Sequence, residues 1–194
     1  MTKLSVVCCM MMLAALVASG GSFSQCPAVG ADTLGCELLI TVTAVDGSGA
    51  STAFSVATAS PDQGPYDSAE DTLLGIVNSS GSTLNSIGLT GSGGLPIFQF
   101  EGDGACTYIV CVGTDPTGYG GPGVTFSGIS AGFDSGTVNF APGVANGASA
   151  WFSLEQKITA NVIGGGVPEP GSLALLGLGL ATLVGSTRLR CFRK

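Results

Sequence analysis

Short runs with strand-like alternation, cut at close intervals by glycine-rich turns, constrain this chain more than any other feature. Leu38-Leu39-Ile40-Thr41-Val42-Thr43-Ala44-Val45 is rich in β-branched residues and ends at the turn Asp46-Gly47. Similar runs follow at Ala53–Ala57, Thr72–Asn78, Thr83–Leu89, Ile97–Phe100, Val124–Ile129, Gly136–Phe140 and Ala150–Leu154. Ser79-Ser80-Gly81, Gly91-Ser92-Gly93-Gly94, 116–123 and Pro142-Gly143 separate them as turns. Period-two patterning is what half-buried strands require, and no stretch of the body reads as an amphipathic helix. The chain has 32 Gly and only 10% charged residues, whereas helix surfaces favour Ala, Glu and Lys. These features predict an all-β fold, an antiparallel β-sandwich of immunoglobulin-like or jelly-roll type. The expected core is Ile76, Ile87, Leu89, Phe98, Phe100, Phe126, Val138, Phe140, Trp151 and Phe152. Trp151 and Phe152 are adjacent, so they should face opposite sides of one strand.

Charge divides the chain sharply. Five of the six basic residues lie in the first three or last seven positions. Between residues 25 and 166 there are 12 acidic residues and one Lys, a net charge of −11. Such a surface repels phosphate backbones, which excludes nucleic acid as a partner. Acidity suits a cation-rich exterior and also serves solubility.

Residues 1–24 read as a signal peptide, here for export through the Sec machinery. Lys3 opens it, a largely apolar run from Leu4 to Val17 follows, and small residues lead to Ser24. Residues 25–163 form the expected extracellular domain, and 164–166 a glycine linker. Pro170 to Thr187 is an uncharged stretch whose apolar heart runs from Leu173 to Val184. It is long enough to cross a bilayer, and Arg188, Arg190, Arg193 and Lys194 should hold its end in the cytoplasm.

Val167-Pro168-Glu169-Pro170, the Leu-rich span and the Arg-rich terminus together resemble the PEP-CTERM sorting signal of Gram-negative bacteria, over residues 167–194. The resemblance implies an exosortase, a membrane transpeptidase, as partner, with Pro168, Glu169 and Pro170 in the recognition role. It also implies an inner-membrane intermediate followed by release to the cell surface or extracellular matrix. Within the body, Tyr66-Asp67-Ser68-Ala69-Glu70-Asp71, Phe100-Glu101-Gly102-Asp103-Gly104 and Trp151-Phe152-Ser153-Leu154-Glu155 resemble an extracellular domain recurring among such proteins. That likeness implies a β-sandwich and no particular activity.

The absence of His removes Ser–His and Cys–His nucleophile pairs and any His-ligated zinc. Cys8 and Cys9 fall in the signal peptide and Cys191 in the tail, leaving Cys26, Cys36, Cys106 and Cys111 for an oxidising exterior. An extended strand would set Cys106 and Cys111 about 17 Å apart, against the roughly 4.4–6.8 Å between Cα atoms that a bridge requires. The expected pairs are nonetheless Cys26–Cys36 and Cys106–Cys111, with 107–110 folded into a loop. The alternative keeps that segment extended and pairs each of its cysteines with the N-terminal segment; a four-Cys zinc site is a third reading.

Carboxylates are what remain for chemistry. Asp62, Asp67, Glu70 and Asp71 crowd one turn-rich stretch, and Asp103 lies on a second glycine-rich turn beside Glu101. Hard cations take several oxygen ligands from converging loops, so Asp62, Asp67, Glu70, Asp71 and Asp103 are the candidate ligands of a calcium ion. No catalytic residue is assigned and no enzyme activity is expected. The leading functional reading is a structural or adhesive component associated with exopolysaccharide. A carbohydrate-binding module is the alternative, and a secreted hydrolase follows it.

Overall fold

The computed structural model describes residues 21–111 and 115–164. The sorting segment 167–194, with Val167, Pro168, Glu169 and Pro170, lies outside the described residues, as do 1–20 of the expected signal peptide and two of the three linker glycines. Eight strands form among the described residues: β1 (Leu38–Val45), β2 (Ser51–Thr58), β3 (Thr72–Asn78), β4 (Leu84–Gly91), β5 (Val124–Ser127), β6 (Ser135–Val144), β7 (Ser149–Leu154) and β8 (Ile163–Gly164). They make two four-stranded sheets, ordered β2-β1-β3-β7 and β5-β6-β4-β8. Helix among the described residues is confined to the 3-10 turns Ser92–Gly94 and Ala105–Thr107.

Alternation explains how the two sheets close on each other. Leu38, Ile40 and Val42 of β1 point to one side, with Leu74 and Ile76 of β3 and Phe152 and Leu154 of β7. They meet Ile87 and Leu89 of β4, Val124 of β5, and Val138 and Phe140 of β6 in one buried cluster, the arrangement of a β-sandwich. The outer face of the second sheet is more open, with Thr125, Ser127 and Gly88 exposed. The β1–β2 hairpin is closed by Asp46, whose Oδ1 accepts from the Ser48 and Ala50 amides at 2.8 and 3.0 Å. The Ser48 hydroxyl bond above all, and then the Ala50 and Ser48 amide bonds, hold the Asp46 carboxyl below its usual range.

Three expectations are corrected. The sandwich is not wholly antiparallel: β1 and β3 pair in parallel, Leu38 opposite Leu74 through Val42 opposite Asn78. A hairpin puts β2 on one side of β1, and residues 59–71 carry the chain back to the other side, so β3 enters in the direction of β1. Ile97–Phe100 forms no strand. Pro96 has no amide proton to give a ladder, and the segment bonds to loops instead, Phe98 N to Phe133 O at 2.9 Å and Gln99 N to Pro96 O at 3.1 Å. Its Ile97 and Phe98 side chains are still buried in the main core. Finally, Pro142-Gly143 lies inside β6, where the register slips between Leu84 opposite Val144 and Ser86 opposite Asn139, so the pair belongs to a bulge rather than a turn.

The first sheet differs from the second in being covered on its outer face as well. Leu73 of β3 turns away from the main core into a second buried cluster with Cys26, Val29, Cys36, Tyr66 and Ala105, against which Trp151 packs. Trp151 and Phe152 do face opposite sides, but both are covered, Phe152 fully and Trp151 in part. The covering layer is built from the loop segments 23–37, 59–71, 101–111 and 115–121. Cys26 and Cys36 are bonded with Cα atoms 5.0 Å apart, and Cys106 and Cys111 with Cα atoms 5.4 Å apart, so each disulfide staples a loop of this cap to itself.

Candidate metal centre

The register of β3 against β7 sets up the centre. Thr72 lies opposite Leu154 and Leu73 opposite Ser153. One step further along the same ladder brings Asp71 to the level of Glu155, on the capped side that Leu73, Trp151 and Ser153 share. Like charges facing each other across strands are unfavourable, and both residues are buried, at 0% and 1% exposure.

The loop 115–121 runs beside β7, with Ser153 N donating to Tyr119 O at 2.8 Å. This delivers the Tyr119 hydroxyl to the acids: it lies 2.6 Å from Glu155 Oε2, 2.7 Å from Asp103 Oδ1 and 3.3 Å from Asp71 Oδ2. Asp103 arrives because the segment after it is tied to the same loop, Cys106 N donating to Gly118 O at 3.0 Å. Gly104 is needed for that approach; a Cβ there would sit 2.5 Å from Gly118 O and 2.6 Å from the Tyr119 ring.

Donors fall short of acceptors. A phenol carries one proton, so Tyr119 satisfies one of its three carboxylate neighbours. Tyr66 OH donates to Asp71 Oδ2 at 2.8 Å, and the Glu101 amide reaches Glu155 Oε2 at 3.3 Å. Asp71 Oδ1 is buried with no hydrogen-bond partner among the described residues. Lys157 is the one basic residue between 25 and 166. Burial therefore pushes the Asp71 carboxyl up to about 8; the Tyr66 bond opposes that, while Glu155 and Asp103 add to it. Burial raises Glu155 too, against the hydrogen bond from Tyr119. Both tyrosines are raised, Tyr66 and Tyr119 alike chiefly by burial, so they remain protonated donors.

Carboxylate oxygens of Asp71, Asp103 and Glu155 lie within 4.8 Å of one another, as do those of Glu70, Glu101 and Glu155. All are hard oxygen donors, so the clusters have the geometry and chemistry to hold a metal such as calcium. Of the residues singled out in the sequence, Glu70, Asp71 and Asp103 come together here. Asp67 Oδ1 instead accepts from the amides of Ala69, Glu70 and Asp71, each at 3.0 Å, and so shapes the turn that presents its neighbours. Asp62 lies at the far end of the crossover, near Asp32 and Glu37. Glu155, Glu101 and Tyr119 complete the centre and were not singled out as ligands. For Glu155 a signal existed: it continues the 151-153-155 side of an otherwise uncharged strand. Two surface depressions, one bordered by Pro122, Phe140 and Ala150 and the other by Thr90, Ser135 and Thr137, have no carboxylate in their walls.

An acidic two-sheet domain with a disulfide-stapled cap belongs to the class of proteins suited to an oxidising exterior. Over residues 166–190 the chain carries the PEP-CTERM protein-sorting motif, which makes it an exported protein sorted at the membrane. No curated protein and no solved structure matches the chain.

Proposed function

We propose that the exported body is a structural or adhesive module of the cell surface or of an exopolysaccharide matrix, released by an exosortase and held rigid at its cap by calcium. The observation that carries the calcium reading is the set of carboxylates around the single Tyr119 hydroxyl, with Asp71 Oδ1 buried and unpartnered. A divalent ion would supply positive charge to a body that carries a single Lys against 12 acidic residues. The sorting motif supports delivery to the envelope. No catalytic role is assigned to these acids.

The test is thermal unfolding of the mature protein with millimolar calcium and with chelator at matched ionic strength, alongside envelope fractionation of the native cells. A higher midpoint in calcium, with the protein in the polysaccharide-bearing fraction, supports the reading. Coincident midpoints with no heat of binding sink the calcium part, and recovery only in the soluble periplasm sinks the surface role. One observation favours carbohydrate binding as a second reading. Tyr108 is 47% exposed on the Cys106–Cys111 loop, with its ring edge-on to Tyr66 at 5.5 Å, and exposed aromatic faces stack on sugars. Saturable binding to a defined glycan that Tyr108→Ala abolishes would favour that reading.

A further inference from the structure

The four sheet edges among the described residues are not protected alike. β5 has four residues and β8 two, too short to template another strand. β7 is covered by the loop 115–121, through the bridge between Gly120 and Phe152 and the bond from Ser153 N to Tyr119 O at 2.8 Å. β2 is different. It borders β1 alone, runs for eight residues, and holds no Pro, no Gly and no charged side chain. Its register with β1 slips only at the hairpin end and is unbroken from Leu38 opposite Thr58 to Val42 opposite Phe54. Natural sheets guard a long edge with Lys, Pro or a bulge, and the stretch 54–58 has none of these.

The backbone shows which groups this edge offers. Val42 O accepts from Ser79 N at 2.8 Å, on the β3 side of β1, whereas Glu37 O accepts from Ala59 N at 2.8 Å, on the β2 side. Alternation along β1 therefore turns Leu39 and Thr41 to β2, where they face Ala57 and Ser55. Phe54, Val56 and Thr58, lying between and beside these, turn their N–H and C=O groups outward. No loop or turn among the described residues bonds to them. The Phe54 and Val56 side chains are half-buried at the rim of the main core, so a strand added here would also cover apolar surface.

We infer that this edge takes β2 of a second copy of the chain, antiparallel about a two-fold axis through Val56. In that register Val56 lies opposite its mate and Phe54 opposite Thr58, each pair exchanging both of its main-chain bonds. The occupant follows from charge and shape. The body has 12 acidic residues against one Lys, so two copies repel over most of their surface, and an uncharged edge is where they can meet. A second β2 brings an uncharged strand of matching length and phase, and a two-fold contact uses up both open edges, so assembly stops at the dimer. On the outer face Ser55, which is exposed, would lie opposite the equally exposed Ala57 of the second copy.

Sedimentation velocity of the mature protein from micromolar to millimolar, with amide exchange followed by NMR over the same range, tests this. A reversible dimer and nothing larger is expected, with the Phe54, Val56 and Thr58 amides exchanging more slowly as it forms. Ser55→Asp/Ala57→Asp sets like charges opposite each other across the axis and should weaken the dimer by about tenfold or more. Ser55→Lys/Ala57→Lys should do the same by itself. Mixing the two variants should restore association as a heterodimer, which also shows that both are folded. A protein that stays monomeric at millimolar concentration overturns the inference, as does a dimer in which the three amides keep their dilute exchange rates. Variants that associate no better together than alone overturn it too. Protection of these amides only on adding envelope extract would give the edge to another protein and overturn the self-pairing.

Discussion

The two sheets are built on the same alternation, yet one carries all the unusual chemistry of the described residues. The sheet β5-β6-β4-β8 buries one face and leaves Thr125, Ser127 and Gly88 on the other exposed. The sheet β2-β1-β3-β7 buries the same kind of apolar face, but its other side lies under the loops of the cap. Asp71 and Glu155 sit beneath those loops and Asp32 and Glu37 within one of them, all buried and all raised. A strand face open to water can carry acids cheaply; the same face roofed over cannot. The lesson is that the cap, rather than the sandwich, is where negative charge is buried without compensation.

Four measurements would break or sharpen that contrast. The largest effect is expected in the shared core. Phe152→Ala should lower stability by about 3–5 kcal/mol in urea unfolding, since it empties a fully buried aromatic site. A much smaller loss would mean that the sheets do not share a tight core.

Next come the staples of the cap. Loop-closure entropy assigns about 3 kcal/mol to Cys26–Cys36 and about 2 kcal/mol to the shorter Cys106–Cys111 loop. Cys26→Ser/Cys36→Ser should therefore destabilise more than Cys106→Ser/Cys111→Ser by chemical denaturation. The reverse order would mean that the second loop supports more of the cap than its length implies.

The acids themselves give a pH signature opposite to that of ordinary salt-bridged carboxylates. Asp71, Asp32 and Glu37 have folded values near 8, 7 and 8, above the usual value of about 4 for the unfolded chain. Between those limits the native state holds protons that the unfolded state has released, so the stability they confer is present at low pH and lost as pH rises through 7 to 8. In chelator, unfolding free energy should fall from pH 5 to pH 8, by at most about 1.4 kcal/mol per pH unit for each group. Calcium at a hundred times its dissociation constant for the Tyr119 centre should restore about 2.7 kcal/mol at pH 8. Asp71→Asn should flatten part of the slope and raise ion-free stability at pH 8, because its amide can donate to Glu155. A profile that rises with pH in chelator would refute the assignment of buried, unpaired acids.

The smallest effect belongs to the open face of the second sheet. Thr125→Ala should change stability by no more than about 0.5 kcal/mol, and its midpoint shift should be the same with calcium and with chelator. A calcium-dependent shift there would show that the two sheets are not independent in this respect.

Local patterning carried most of the fold. Leu38–Val45 and Thr72–Asn78 are strands with the limits their sequences announce, because β-branched and apolar residues fit the pleated, buried surface that a sandwich offers them. Ile97–Phe100 misled because its aromatics report burial, and burial alone does not distinguish a strand from a loop held down by Pro96. The acidic turn after Pro61 was legible as unusual, since charge is scarce in this chain, and so were Asp71 and Asp103 as partners. Its division between two places was not. Asp62 lies near Asp32 and Glu37 while Asp71 lies opposite Glu155, because Asp71 is at the end of the crossover that enters β3 and Asp62 near its start.

What the sequence determined by itself was the export address, the all-β body, the acidity and the cysteine supply, each a property of composition or of short-range pattern. Only the tertiary structure decided that Glu155 faces Asp71, that Tyr119 enters between them, and that Asp32 and Glu37 lose their water. Those facts depend on strand register and on which face a loop covers. Both are set by contacts between residues as far apart as Asp71 and Glu155, whose energies no local window of sequence contains.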